Sequence, residues 1–245
     1  MKANVFDHDH APVIPRTTLT PSRRISLAAG ILYLLTFVAV PQFALYTSVR
    51  TPNYIVGPGP DTGVIVGGIL EIIVALTGIG TAVALFPALK RQNEVLSLGL
   101  IGARILEAAT IFAGVVSLMT IVTLRKSGVG AEGLVTARAL IAQSDWFHLG
   151  QAIMPAVDDL LLGYLLYRSR LVPRLLPLLA FIGVPVLIAN TILLMFGTTG
   201  LALTLTTLGV IPIATFEFGL GVYLIIKGFK PTAITAEIDH AETNK

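Results

Sequence analysis

The chain of 245 residues is 54% hydrophobic and only 13% charged, and its mean hydropathy is +0.83. A soluble domain carries about 25% charged residues, so this composition excludes an ordinary soluble fold and indicates a membrane protein. The net charge is only +3, and the sequence has no basic run interleaved with aromatic residues, which argues against nucleic-acid binding. The chain has no cysteine, so disulfides and thiolate metal sites are excluded.

The two ends of the chain are polar, and we expect both to be disordered cytoplasmic tails, over residues 1–22 and 229–245. The N-terminal tail contains Asp7-His8-Asp9-His10, which we interpret as solvated residues rather than a metal site. Between the tails, residues 23–228 form one transmembrane domain.

Six apolar stretches predict six membrane-spanning helices, an all-α bundle. They lie at about 26–47, 63–87, 95–124, 144–167, 175–197 and 200–227, and each reaches the roughly 20 residues that cross a bilayer. Kinks are expected at Pro41, Pro155, Pro185 and Pro212, which fall within spans. The loop Ser48–Thr62 is expected to be irregular, and a short interfacial helix or a plain connector is expected at Ala131–Ala142.

The basic residues predict the orientation. The side that holds both chain ends carries twelve lysines and arginines, and the opposite side carries four, namely Arg50, Arg125, Lys126 and Arg138. Basic residues are retained on the cytoplasmic side of bacterial membranes, so both termini are expected to be cytoplasmic. Three arginines between Arg168 and Arg174 form a basic rim on that face, suited to anionic headgroups or to an acidic partner.

Ionisable residues lie deep inside the predicted spans. Arg104, Glu107, Asp158 and Glu217 lie roughly 14–18 Å from the cytoplasmic ends of their spans, close to the midplane of a core about 30 Å thick. Each would cost about 2.5–3.5 kcal/mol if it faced lipid, so these side chains should face one another. Further candidates for the same cluster are Asp159, Glu71, nearer the outer face, and Asn190.

This cluster has two interpretations. One arginine does not neutralise four carboxylates, so some acids should be protonated, or a cation or water should sit among them. That favours a midplane site in a small transporter or a proton or ion pathway, binding protons or a small polar or cationic ligand. The alternative is a non-enzymatic binding, sensory or accessory subunit in which Arg104 clamps helices together. A lipid-modifying intramembrane enzyme is a third and less favoured class, which no sequence motif supports.

Several motifs recur in the order of a known family. They are Arg24 with Ala29-Gly30 and Leu32-Tyr33-Leu34, then Leu85–Arg91, then Arg104 with Glu107, then Leu166–Leu175. Together they resemble a family of bacterial multi-span membrane proteins catalogued as domain of unknown function 4386. The likeness covers residues 24–227, although Leu175 and Leu176 stand where that family often has tryptophan. The resemblance implies a multi-pass protein of a bacterial inner membrane. It implies no activity, cofactor, metal or catalytic residue.

Overall fold

The computed structural model describes residues 19–39, 42–197 and 199–243, and within them regular secondary structure is entirely helical. The helices are α1 (Pro21–Thr36), α2 (Gln42–Leu45), α3 (Thr62–Leu89), α4 (Glu94–Lys126), α5 (Gly133–Ser169), α6 (Leu175–Met195), α7 (Thr199–Ile226) and α8 (Ala233–Thr243). The all-α class predicted from the sequence is confirmed.

Five helices of the described residues are long and apolar enough to cross a membrane. They are α3, α4, α5, α6 and, over Leu208–Ile226, α7. Helix α1 has 16 residues and continues as a 3-10 turn to Ala39, while residues 40 and 41 lie outside the described part. The chain is therefore a multi-pass helical bundle, whereas the sixth span and the orientation stay predictions.

The outer surface of this bundle is apolar. Large aliphatic side chains are more than half exposed along several helices, among them Ile31, Leu76, Val83, Val116, Ile182 and Ile211. In water, a surface of this kind promotes association, whereas lipid tails solvate it. The surface therefore supports the membrane assignment independently of helix length.

The long helices form a closed ring. Helix α3 packs against α1 and α4, α5 against α4 and α6, and α7 against α6 and α1. Helices α1 and α7 cross closely, because a Cβ atom on Gly30 would lie only 2.8 Å from the carbonyl oxygen of Gly221. Small residues permit such approaches between membrane helices. One apolar cluster, which includes Leu100 and Phe216, fills one end of the ring, and a second, which includes Tyr46 and Ile121, fills the other.

The described C-terminal residues, 229–243, include helix α8, where the sequence analysis expected a disordered tail over 229–245. Helix α8 begins after Thr232, whose side chain accepts a hydrogen bond from the amide of Thr235, while Thr235 accepts from the amide of Thr232. This reciprocal arrangement caps a helix start. The helix then docks on α1, where Asp239 accepts two hydrogen bonds from the amide and hydroxyl of Ser22, both 2.9 Å long. Of the other predicted tail, residues 1–18 lie outside the described part.

The predicted connector before the fourth span is also corrected. Helix α5 starts at Gly133 and runs for 37 residues without interruption, so Ala131–Ala142 is not a separate helix. The sequence contains no glycine or proline between Gly133 and Gly150, and nothing there ends the helix. Prolines 155, 185 and 212 lie inside α5, α6 and α7, and Pro41 lies outside the described residues.

An ion pair closes the end of the bundle where α3 begins and α4 ends. Arg125 binds Asp61 through Nε at 2.8 Å and through Nη2, and its Nη1 donates to the carbonyl of Gly57 at 2.9 Å. Tyr54 adds a hydrogen bond from its hydroxyl to Asp61 at 2.5 Å. The loop Ser48–Thr62, which was predicted to be irregular, is therefore bound to α4 through Arg125. The guanidinium of Arg125 holds the pKa of the Asp61 carboxyl below its usual 3.8.

We predict that Asp239→Ala weakens the docking of α8. Two hydrogen bonds to a carboxylate are lost at the start of α1, which should destabilise the protein by about 1–2 kcal/mol. Thermal unfolding in detergent, together with the rate of tryptic cleavage at Lys227 and Lys230, measures this. The matched control on the same helix is Glu237→Ala. Its side chain is 66% exposed and lies 3.5 Å from Arg91, so equal effects would contradict the prediction.

We also predict an acid-dependent difference between the wild type and Asp61→Asn. Because the pKa of Asp61 is lowered in the folded state, its ionisation stabilises the fold above its ordinary pKa, and this stability is lost as the pH falls through the lowered value. The wild type should melt higher than the variant near about pH 7, and the difference should shrink below about pH 4. A difference that does not change with pH would contradict this prediction.

Candidate functional site

Arg104 is the centre of a buried charged cluster. Its side chain is 5% exposed and reaches three carboxylates. Nη1 donates to Oε2 of Glu107 at 2.9 Å, and Nη2 donates to Oε1 of Glu217 at 2.9 Å. Nε lies 3.4 Å from Oδ2 of Asp158, an ion-pair distance without a hydrogen bond. The structure thus brings together four of the predicted site residues.

Each member comes from a position that its helix fixes. Glu107 follows Arg104 by three residues on α4, so the two share a helix face, while Asp158 and Glu217 come from α5 and α7. All lie 9–13 residues from the helix end nearest the Arg168–Arg174 rim, roughly 14–20 Å along the axes. The ring of helices therefore gathers its charges in one central layer.

Tyr33 on α1 is a fourth neighbour, which the sequence analysis did not identify as a site residue. Its hydroxyl accepts a long hydrogen bond from Nη2 of Arg104, at 3.4 Å. Its ring centroid lies 5.9 Å from the guanidinium carbon, within the range of a cation–π contact. The guanidinium therefore contacts side chains from α1, α4, α5 and α7.

Asp158 and Asp159 differ although they are neighbours in sequence. Both are fully buried, but they point about 100° apart around α5. Only Asp158 lies at ion-pair distance from Arg104. In the described part of the chain, the carboxylate of Asp159 makes no hydrogen bond and no ion pair. As expected from the residue count, acids outnumber the single cation.

A cavity of about 180 Å³ reaches the charged groups. It is lined by Thr36, Phe37, Val74, Gly78, Arg104, Glu107, Pro155 and Glu217. The side chains of Glu107 and Glu217 are 11% and 17% exposed. Gly78 keeps one wall open, because a Cβ atom there would lie 3.9 Å from both Arg104 and Glu107. The space has room for several waters or a small ligand.

The remaining predicted residues lie apart from Arg104. Glu71 is bound by Tyr46, whose hydroxyl donates at 2.8 Å, and by Nε2 of His148 at 3.0 Å. Asn190 is buried on α6 and is not among the hydrogen-bond partners of Arg104. Glu71 precedes Gly78 by seven residues on α3, so its position along the helix, nearer the outer face, separates it from Arg104.

No metal site emerges from the described residues. In that part of the chain, no group of three or more histidines and carboxylates has the arrangement that would hold a metal ion. The cluster therefore offers a guanidinium and several carboxylates as its chemistry. Such groups bind and release protons, or hold a small cation against the excess of negative charge.

The family assignment follows from a comparison with known families. The family described as Domain of unknown function (DUF4386) matches residues 28–228, which span most of α1 and continue through α7. The chain belongs to this family. The resemblance read from the sequence motifs is confirmed, and every residue of the Arg104 cluster lies inside the DUF4386 match. No curated protein and no solved structure matches the chain. The protein is therefore an integral membrane protein whose family name assigns it no activity.

We predict that Asp158→Asn lowers the stability of this DUF4386 protein and that Asp159→Asn does not. Asp158→Asn removes a counter-ion of Arg104 and should destabilise the fold by about 1–3 kcal/mol. Asp159→Asn removes a buried acid that has no ion-pair partner in the described part, so it should leave the stability unchanged or raise it.

Thermal unfolding of both variants in detergent measures this difference. The two substitutions are isosteric, adjacent and equally buried, so each is the control for the other. Equal destabilisation by both would contradict the arrangement described here, since it would mean that Asp159 has a partner as strong as that of Asp158.

Proposed function

We propose that this protein is a small transporter or a proton or ion pathway in a bacterial inner membrane, with the Arg104 cluster as its midplane binding site. The cluster consists of Arg104, Glu107, Asp158 and Glu217, with Asp159 beside it. The orientation with both termini cytoplasmic, which the distribution of basic residues favours, belongs to this proposal.

The observation that carries the proposal is the cavity of about 180 Å³ that reaches Arg104, Glu107 and Glu217. A purely structural ion pair in a membrane is most stable when it is dry and balanced in charge. Here two carboxylates border open space, and the acids exceed the cation. Ionisable residues that line a cavity inside a membrane mark ion or proton paths.

The cluster divides into a fixed part and an exchanging part. Arg104 keeps its charge at any physiological pH and contacts four helices, so it holds the site in place. Glu107 and Glu217 each present a carboxylate to the cavity while bound to Arg104 at 2.9 Å. A proton or small cation that enters the cavity neutralises the excess negative charge, and its departure restores it.

A second candidate is a non-enzymatic binding, sensory or accessory subunit in which the cluster is structural. The full burial of Asp158, together with its ion-pair distance to Arg104, favours it. This candidate predicts no ion movement, and its cavity would be a packing defect. The two candidates therefore differ in one measurable property, which is passage through the membrane.

The test is proton uptake into liposomes that contain the purified full-length protein and an internal pH-sensitive dye, with an imposed membrane potential. We expect faster uptake than in protein-free liposomes. Glu217→Gln should slow it by removing an exchangeable carboxylate. Gly78→Leu should slow it by filling the cavity without changing any charge.

The matched control is Gly102→Leu. Gly102 also lies within a membrane helix, but a Cβ atom there meets nothing within 4 Å, so the substitution adds the same side chain outside the cavity. Uptake should match the wild type. The opposite outcome is that wild-type liposomes take up protons and small monovalent cations no faster than protein-free liposomes. That result would favour the structural subunit.

A further inference from the structure

A second buried polar group lies between α3, α5 and the segment after α2. Tyr46 and Glu71 are each 1% exposed, and the His148 side chain is 17% exposed. The Tyr46 hydroxyl donates to Oε2 of Glu71 at 2.8 Å, and Nε2 of His148 lies 3.0 Å from Oε1 of the same carboxyl. Burying this set has a large desolvation cost.

The hydrogen bonds of His148 fix how many protons the pair holds. Nδ1 lies 2.7 Å from the carbonyl oxygen of Ser144, which only accepts, so Nδ1 carries a hydrogen. The contact between Nε2 and Glu71 then needs a further hydrogen, on the ring or on the carboxyl. Without it, two lone pairs face each other at 3.0 Å. The arrangement therefore holds one shared, removable proton, and loss of that proton breaks the contact.

The described residues around this pair include further charged groups. From the loop after α2, Arg50 forms an ion pair with Asp145 of α5 at 2.6 Å, one helical turn from His148. From α4, Gly114 is the neighbour, since a Cβ atom there would lie 3.9 Å from Cε1 of His148. From α3, Glu71 itself faces the ring. Among these described groups, Glu71 contacts the shared proton directly, and the Arg50–Asp145 pair lies farther from it.

The pair is aligned with the Arg104 cluster. Glu71 and Gly78 are seven residues apart on α3, and Gly78 contacts the cavity beside Arg104, so the two levels are roughly 10 Å apart on one helix face. Ala75, Ala108 and Ile111 are at most 3% exposed and belong to one apolar cluster, at positions between the two levels. An apolar layer therefore separates two acidic layers.

We infer that Glu71 and His148 form a second proton-binding site, distinct from the Arg104 cluster and hydrogen-bonded by Tyr46. Its role as the outer station of a proton path, with the Arg104 cluster as the inner station, rests on the function proposed above. The two stations are separate groups, with the apolar side chains of Ala75, Ala108 and Ile111 at positions between them.

The proton-binding pair is tested by a double-mutant cycle on the full chain in detergent, with Glu71→Gln, His148→Asn and the double variant. The shared proton stabilises the folded state while it is bound, so the coupling between the two substitutions should be present near about pH 6 and lost by about pH 9. Tyr46→Phe is the control. It removes a hydrogen bond to Glu71 but leaves both partners of the shared proton, so the coupling between the two substitutions, measured in the Tyr46→Phe background, should keep its dependence on pH.

The role in a path is tested separately, by proton uptake into liposomes containing His148→Asn. We expect uptake close to that of protein-free liposomes, together with pH-dependent coupling in the cycle. One outcome of the cycle is coupling that vanishes at high pH while the wild type moves no protons in liposomes. This result supports the proton-binding pair and overturns only the proposed function. Coupling that is equal at both values of pH, or absent at both, overturns the inference whatever the uptake shows.

Discussion

The fold depends on one guanidinium that is buried within the membrane-spanning bundle. Arg104 needs partners because an exposed charge at this depth costs several kcal/mol, and the partners come from different helices. Glu107 supplies one from α4 itself, Asp158 and Glu217 supply others from α5 and α7, and Tyr33 adds the face of its ring from α1. Because hydrocarbon offers no competing solvent, these contacts set which helix faces turn inward. The order of helices around the ring follows from this requirement together with small-residue crossings such as Gly30 with Gly221.

The charges around Arg104 are unbalanced, and this excess of acids is the basis of the proposed function. A clamp needs one acid for one base, whereas this layer has four acids around Arg104 and a cavity of about 180 Å³ beside two of them. The excess charge destabilises a closed bundle, and proteins retain such a cost where the site works. Glu71 and His148 repeat the principle nearer the other face with a different chemistry, an acid and a base that share one proton instead of a permanent ion pair.

The sequence was sufficient to predict the all-α membrane class, the long helices and most of the Arg104 cluster. Composition and depth along a helix follow from residue identity and position, without knowledge of how the helices pack. It was insufficient wherever the answer depended on which face a helix turns to its neighbours. The pairing of Glu71 with Tyr46 and His148 was not predicted, because it depends on which faces of α3 and α5 meet. The helix α8 was missed because its polar composition resembles a tail, although Thr232 and Thr235 have the spacing of a helix cap. The early start of α5 at Gly133 was missed because an apolar window finds the membrane-facing part of a helix and not its polar extension.

The in-helix pair of Arg104 and Glu107 also bears on how the protein is made. During synthesis α4 enters the bilayer before α5 and α7 exist, and Glu217 is made 113 residues after Arg104. A helix inserted with a lone arginine would meet the full desolvation cost at that moment. Glu107, one turn away on the same face, gives Arg104 a counter-ion as soon as α4 forms. Helix α4 therefore enters the membrane with one counter-ion already in place. Asp158 and Glu217 join Glu107 around Arg104 when the later helices pack against α4.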